Sequence, residues 1–275
     1  MGRNLQDRRG MAETKLKLLG IAHRFADADG GAVPALDGIS LDVAAGRFVC
    51  LLGPSGCGKS TLFNVVAGLL RPTAGRVRID GEDVTGTIGT VGYMLQKDLL
   101  LPWRTVLDNV ILGLELKGVP RHVARERAKP LLARYGLGGF EHRHPRALSG
   151  GMRQRAALLR TLLCDTEIVL LDEPFGALDA QTRARMQEWL LTLWSDFHKT
   201  VVFVTHDVEE AVYLSDEIVV MTPRPGRVKA RLAVELPRPR PRQIASDPAF
   251  ALLRQECVEL LQTGDAALHG DSAAA

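Results

Sequence analysis

The strongest constraint on how this 275-residue chain can fold is one nine-residue stretch, Gly53-Pro54-Ser55-Gly56-Cys57-Gly58-Lys59-Ser60-Thr61. It fits the pattern GxxxxGK[ST], which a chain of this size and average composition would contain by chance only about once in a hundred. Its context agrees with the pattern. The apolar run 48–52 precedes it, as a strand buried on both faces of a parallel sheet would, and a helical pattern follows over 59–70. A strand that feeds a glycine-rich turn and then a helix aims unbonded backbone N–H groups and the positive end of a helix dipole at one place. Glycines let those amides curl around phosphate oxygens. Lys59 would then reach the β and γ phosphates as a point charge, and Ser60 would offer its hydroxyl to Mg2+. Cys57 lies among the same amides. Either they depress its thiol pKa and make it reactive, or it is simply a small residue that fits the turn.

Further strands are expected at 15–21, 76–79, 167–171, 201–205 and 217–222, and helices at 152–163, 181–197 and 248–262. Strands separated by helices imply right-handed crossovers onto a mostly parallel sheet. Between them the texture changes to amphipathic helical stretches at 106–116 and 122–135, interrupted by Gly118, Pro120 and Pro130, which reads as a helical insertion. The expected organisation is a flexible segment 1–13, a main domain 14–236, and a tail 237–275. The domain divides into a core, 14–96 and 165–236, and a helical subdomain, about 97–164; the tail comprises a Pro/Arg linker, a short helix and a frayed end.

Composition excludes several classes. With 46% hydrophobic and 24% charged residues the chain can bury a core without disulfide or metal staples. Its 35 basic and 32 acidic residues nearly balance, which argues against a nucleic-acid partner. No run approaches the roughly 18 residues a membrane-spanning helix requires. The first ten residues mix Arg and Asp without a following apolar stretch, unlike a secretory signal, and Met11 is an alternative start. The four cysteines, Cys50, Cys57, Cys164 and Cys257, have no zinc spacing and read as free thiols of a reducing compartment.

Two more motifs carry chemistry. The run Ile168-Val169-Leu170-Leu171-Asp172-Glu173-Pro174 ends an apolar strand in two carboxylates, at the end where open α/β sheets bind ligands. Asp172 suits a Mg2+ shell, and Glu173 is placed to polarise the water that attacks a γ-phosphate. Taken alone, this is also an ordinary turn. Ser149-Gly150-Gly151, ahead of a helical run, is either a plain N-cap or a second anion-binding helix end.

The stretch Leu148-Ser149-Gly150-Gly151-Met152-Arg153-Gln154-Arg155 resembles the LSGGQ signature of ABC ATPases, with Met152 where the general pattern has Gln. The family's order of glycine loop, glutamine, signature, paired carboxylates and histidine recurs across essentially the whole chain. The resemblance implies an α/β, P-loop NTPase ABC ATPase fold: a mostly parallel core sheet, an N-terminal antiparallel β region and a helical subdomain insertion. It further implies that ATP and Mg2+ bind at Gly53 through Thr61. Gln96 would ligate Mg2+ beside Ser60 and Asp172, and Asp179 of Ala177-Leu178-Asp179 would cross to a partner subunit. His206 would sense the γ-phosphate, and Phe25 would stack on adenine, with a core phenylalanine as its rival reading.

The implied unit is a head-to-tail homodimer, each ATP held by Lys59, Glu173 and His206 of one copy and closed over by Ser149, Gly150 and Gly151 of the other. The runs LPWRTVLDNV, 101–110, and MTPRPGRV, 221–228, resemble importers of nitrate, sulfonates and taurine, a group that includes transporters of thiamine-precursor pyrimidines. That resemblance implies an importer ATPase on the cytoplasmic face of the inner membrane, peripheral to two permease subunits. These would dock near residues 96–106, and a periplasmic or surface solute-binding protein would act indirectly. Residues 99–106 are thus a docking groove or the core of the helical insertion. The Arg-rich stretches 121–134 and 224–242 read as solvated faces, or as contacts for anionic lipid or a partner. The alternative function is a soluble ABC-type ATPase acting on DNA or the ribosome, marked by a long coiled-coil insertion or by two ATPase halves.

Overall fold

Period-two alternation inside short apolar strands sets the layers of the molecule, whose computed structural model describes residues 13–27 and 31–265. All but the last residue of the expected flexible start, 1–13, and all of the Ala-rich end, 266–275, lie outside the described residues. Ten strands are described: β1 (Thr14–Ala26), β2 (Ala32–Ala44), β3 (Phe48–Leu52), β4 (Ala74–Ile79), β5 (Glu82–Asp83), β6 (Gly92–Met94), β7 (Ile168–Asp172), β8 (Thr200–Thr205), β9 (Glu217–Met221) and β10 (Val228–Ala233). A six-stranded sheet runs β10-β9-β3-β8-β7-β6, parallel throughout except for the edge strand β10. Every residue of β3, β7 and β8 is buried, as strands covered on both faces must be.

Phe48, Cys50 and Leu52 of β3 face one layer, and Val49 and Leu51 face the other. Beneath the second face lie the helix α1 (Lys59–Val66) and a four-stranded antiparallel sheet, β2-β1-β4-β5. The first face is covered by α5 (Gly150–Leu162), α6 (Ala180–Phe197), α7 (Val208–Leu214) and α8 (Pro248–Asp265). The fold is therefore the expected α/β architecture, with a parallel core sheet and an antiparallel N-terminal region.

Local departures have physical causes. The helix expected over 59–70 stops at Val66, because Gly68 turns left-handed (φ +75°) with its α-carbon close enough to Thr87 that a Cβ would stand 2.2 Å from the Thr87 carbonyl oxygen. The strand β2 was absent from the sequence reading: Pro34, Asp37 and Gly38 interrupt its pattern, and its pairing with β1 shifts register repeatedly. The run 106–116 forms as two short helices, α2 (Val106–Val110) and α3 (Leu112–Leu116), that meet at Ile111.

In α4 (Arg121–Arg134) the helix continues through Pro130, which was expected to break it. Ala124, Ala128 and Leu132 bury one face, and Pro130 lies on the exposed one, so the carbonyl it leaves without a partner faces water. The Arg-rich surface of α4 is paired as well as solvated, since Arg121 and Arg125 both reach Asp108.

The Pro/Arg segment 237–242, expected as a linker with solvated arginines, is packed against α7. Arg240 is 5% exposed and donates to the carbonyls of Val212, Tyr213, Ser215, Val234 and Leu236. Burial, and then the neighbouring Arg238, push its pKa down to about 10. Arg238 lies 4.3 Å over the Trp194 ring and donates to Asp216 at 2.8 Å. Beyond it, Phe250 and Cys257 of α8 join the core.

Arg240→Ala should lower the free energy of unfolding by about 2–4 kcal/mol, because it removes a buried donor that serves five carbonyls at once. Urea unfolding would show a lower midpoint at unchanged slope. A loss under about 0.5 kcal/mol, the range of surface positions, would mean that the segment is held by other contacts.

Candidate functional site

Parallel pairing brings the carboxyl ends of β3, β6, β7, β8 and β9 to one edge, and the chemistry-bearing residues hang from four of those ends. After β3 the glycine loop leads into α1. Gly56 (φ +78°) and Gly58 (φ +106°, the N-cap of α1) are left-handed. At Gly58 a Cβ would stand 2.7 Å from a Leu36 methyl and 2.8 Å from the Ala35 carbonyl oxygen, so the tight seat of the loop on β2 admits only glycine. Lys59 is 5% exposed and donates to the carbonyls of Gly53 at 2.7 Å and Pro54 at 2.8 Å. The cation is thus held under the loop by its own backbone. Cys57 is buried, 3.7 Å from Lys59 Nζ, and burial raises its thiol pKa despite that neighbour. Of its two readings the structure favours the second, a small residue that fits the turn: burial outweighs the lowering by Lys59 and by the nearby backbone amides.

After β7 stand Asp172 and Glu173. In an extended strand adjacent side chains face opposite ways. Glu173 adopts a left-handed backbone (φ +44°), held by its amide on the Val204 carbonyl at 3.0 Å and by the buried Phe175 behind it. That turn lets both carboxylates line one cavity. After β8, His206 Nδ1 lies 3.3 Å from Glu173 Oε1, and after β6, Gln96 Nε2 donates to Glu173 Oε2 at 3.3 Å. The carboxylate is therefore gripped from two strands at once.

The cavity, about 380 Å3, is also lined by Phe25, Ser55, Gly56, Gly58, Lys59, Ser60 and Thr61. Gly53, Pro54 and Cys57 lie behind it rather than on its wall. Phe25 is 40% exposed, its ring edge-on to His23 at 4.6 Å, so of its two readings the core one fails. Tyr93 Oη reaches Asp172 at 3.4 Å, a contact nothing in the sequence signalled. Burial pushes the Asp172 carboxyl up, while hydrogen bonds from Ser60 and Tyr93 pull it back and the charge of Glu173 adds to the rise.

The donors suit Mg2+. Ser60, Asp172 and Gln96, which carry hydroxyl, carboxylate and amide oxygens, line the same cavity. Among the described residues no cluster of three or more His, Cys, Asp or Glu could hold a metal alone. One carboxylate with neutral oxygens fits an ion whose remaining ligands are phosphate oxygens and water.

A second cavity, also about 380 Å3, shares no residue with the first. Ser149, Gly150, Gly151, Leu178, Asp179 and Thr182 line it. Ser149 caps α5, its Oγ accepting from the Met152 amide at 3.3 Å, and Asp179 caps α6, accepting from the Thr182 amide at 3.0 Å. Ser149 and Asp179 are exposed among the described residues. Sequence reasoning also missed Arg224, which lines the first cavity from the loop after β9. The sequence had offered it only within a subfamily-like run, 221–228, and within an Arg-rich stretch, 224–242, expected as a solvated face or a lipid or partner contact; the cavity it lines corrects that reading for Arg224.

The chain matches the ABC transporter family over residues 36–176. It is 51% identical to an uncharacterized ABC transporter ATP-binding protein of Methanocaldococcus jannaschii, over 86% of this chain and 88% of that one. It is 45% identical to the taurine import ATP-binding protein TauB of Yersinia pestis, over 87% of this chain and 95% of the relative. Among solved structures, a bacterial ABC transporter cassette determined as a dimer superposes with a TM-score of 0.69 at 31% identity, covering 80% of this chain and 99% of the cassette. With its phosphate loop, paired carboxylates and Ser-Gly-Gly helix end in one polypeptide, the chain belongs to the ABC transporter family as an ATP-binding, ATP-hydrolysing subunit.

Proposed function

We propose that this ATPase powers a membrane importer of a small solute, working as a head-to-tail homodimer. The observation that carries the dimer is the separation of the two cavities: the chain bears a phosphate loop and a second anion-binding helix end that share no residue. Pairing two copies head to tail would set Ser149, Gly150 and Gly151 of each against the nucleotide held by its mate, with Asp179 at the seam. The dimeric state of the superposable cassette supports this reading.

In that assembly the amides of 55–61 hold the β and γ phosphates, and Lys59 exchanges the carbonyls of Gly53 and Pro54 for phosphate oxygens. Phe25 stacks on adenine. Ser60, Asp172 and Gln96 hold Mg2+, which when bound neutralises charge developing on the phosphates. Glu173 polarises the attacking water, and its grip by Gln96 and His206 holds the carboxylate in line. ATP glues the pair and hydrolysis releases it, because only the triphosphate contacts both copies.

The importer assignment draws on the taurine import relatives and on the surface near Gln96. Leu95, Leu99 and Trp103 are exposed, Trp103 by 72%, whereas Leu100, Val106 and Leu107 are core. The apolar side chains left outside suit docking by the two permease subunits, and no helix among the described residues is long and apolar enough to cross a membrane. The chain would then sit peripherally on the cytoplasmic face of the inner membrane, and a solute-binding protein would deliver a sulfonate such as taurine, nitrate or a thiamine-precursor pyrimidine. A DNA- or ribosome-acting ATPase is disfavoured, since the helices of the insertion reach only 14 residues and form no coiled coil. Co-purification with a multi-spanning membrane protein supports the importer; stimulation of hydrolysis by DNA or ribosomes contradicts it.

Glu173→Gln should still bind ATP, hydrolyse it about 10²–10⁴-fold more slowly and elute as a dimer from size exclusion with ATP. Monomer at saturating ATP would contradict the sandwich. Phe25→Ala should weaken ATP binding about tenfold or more, the value of one base–aromatic stack, with thermal stability nearly unchanged for so exposed a ring. Titration calorimetry beside a melting curve checks both, and unchanged affinity would remove Phe25 from the site.

A further inference from the structure

We propose that Arg224 is a further nucleotide-contacting residue, whose guanidinium binds the ribose and α-phosphate end of ATP. The inference rests on the reading of the first cavity as the ATP site. Of the five parallel strands, β9 is the one whose carboxyl end had been given no part in that site, and Arg224 is the residue its following loop delivers there.

Its position along the cavity comes from its anchor. Arg224 Nε donates to the Pro34 carbonyl at 3.1 Å. Pro34 pairs with Arg24 across the β1–β2 ladder, and the preceding residue, Val33, pairs with Phe25. The guanidinium is therefore tethered to the strand that pairs with the one bearing Phe25, one register position from the ring expected to carry the base. One N–H is engaged, and the two terminal amino groups have no hydrogen-bond or ion-pair partner among the described residues. Nearby Arg227, by contrast, is spent on Asp37.

The loop holds this arm still. The Thr222 amide donates to the Arg227 carbonyl at 2.9 Å, and Thr222 Oγ1 accepts from the Arg227 amide at 3.0 Å. The Gly226 amide donates to the Ala35 carbonyl at 2.9 Å, and its own carbonyl accepts from the Asp37 amide at 3.0 Å. Gly226 also lies so close to the phosphate loop that a Cβ would stand 2.2 Å from the Cys57 carbonyl oxygen. Arg224 is thus fixed relative to both the base end and the phosphate loop.

Chemistry selects the ligand group. Lys59 and Mg2+ answer the β and γ phosphates, which leaves the α-phosphate without a cation. A guanidinium with its outer edge free presents paired donors that match a phosphate's oxygens or a ribose hydroxyl. A lysine supplies the charge without the fork.

The test is calorimetric titration of the full chain and of Arg224→Ala and Arg224→Lys with ATP and, separately, ADP, beside a melting curve for each. The expected result is that Arg224→Ala weakens ATP and ADP by the same factor, about fivefold or more, at unchanged melting temperature, and that Arg224→Lys recovers part of the loss. ATP and ADP affinities within twofold of the unmodified chain would overturn the inference and leave the ATP site standing. So would a loss confined to ATP, which would move the contact to the γ end, or a loss matched by a lower melting temperature and not eased by lysine, which would make the residue a loop anchor. Failure of the unmodified chain to bind either nucleotide would overturn the reading of the cavity and this inference together.

Discussion

Parallel hydrogen bonding between β9, β3, β8, β7 and β6 aligns five carboxyl ends on one edge, and no reactive group at that edge is placed independently of it. The Glu173 amide continues the ladder by bonding to Val204 of β8, so the left-handed turn that swings its carboxylate into the cavity is held by the sheet itself. His206 leaves the same strand two residues after Val204, and Gln96 leaves β6, which pairs with β7. The carboxylate and both its holders thus ride on three adjacent strands. A left-handed non-glycine residue costs of order 1–3 kcal/mol, and here the surrounding ladder and the buried Phe175 hold it in place.

The helical part of the chain is tied to this edge through the segment after Gln96. Arg160 of α5 donates to the carbonyls of Asp98 at 2.6 Å and Leu99 at 2.8 Å, and Arg153 of the same helix reaches the Asp98 carboxylate at 3.2 Å. Ser149 caps that helix. One rigid element therefore connects three places: the glutamine that touches Glu173, the exposed Leu99 and Trp103, and the serine that would meet a partner's nucleotide. The contacts of Arg153 and Arg160 thus link the apolar surface to Ser149 through a single helix.

The parts legible in sequence were those written in short-range chemistry. The glycine loop, the apolar strand ending in Asp172-Glu173 and the Ser149 cap each carry a local signal, and each lies where that signal put it. The hidden parts depend on tertiary partners. Strand β2 reads poorly because its pairing absorbs Pro34 and Gly38 through shifts in register. Arg240 reads as a solvated charge because the five carbonyls it serves come from two separate stretches of the chain. Cys57 reads equally as an activated thiol or a small residue that fits, and only its burial in the core, beside Lys59, decides for the second. Arg224 was in plain view within a quoted motif, yet only the folded loop after β9 sets it on the cavity wall.

Whether two half-sites on one chain make whole sites only in pairs is measured most directly by mixing. Lys59→Ala and Ser149→Arg proteins, each purified alone, contain no intact composite site as homodimers. A mixed dimer has one, formed by the unaltered lysine of one copy and the unaltered serine of the other. The account predicts that each protein alone is nearly inert and that ATP hydrolysis returns on mixing, rising with total concentration. A mixture as silent as its components, or an unmodified protein whose rate per molecule is undiminished by dilution below the point of pairing, would contradict it.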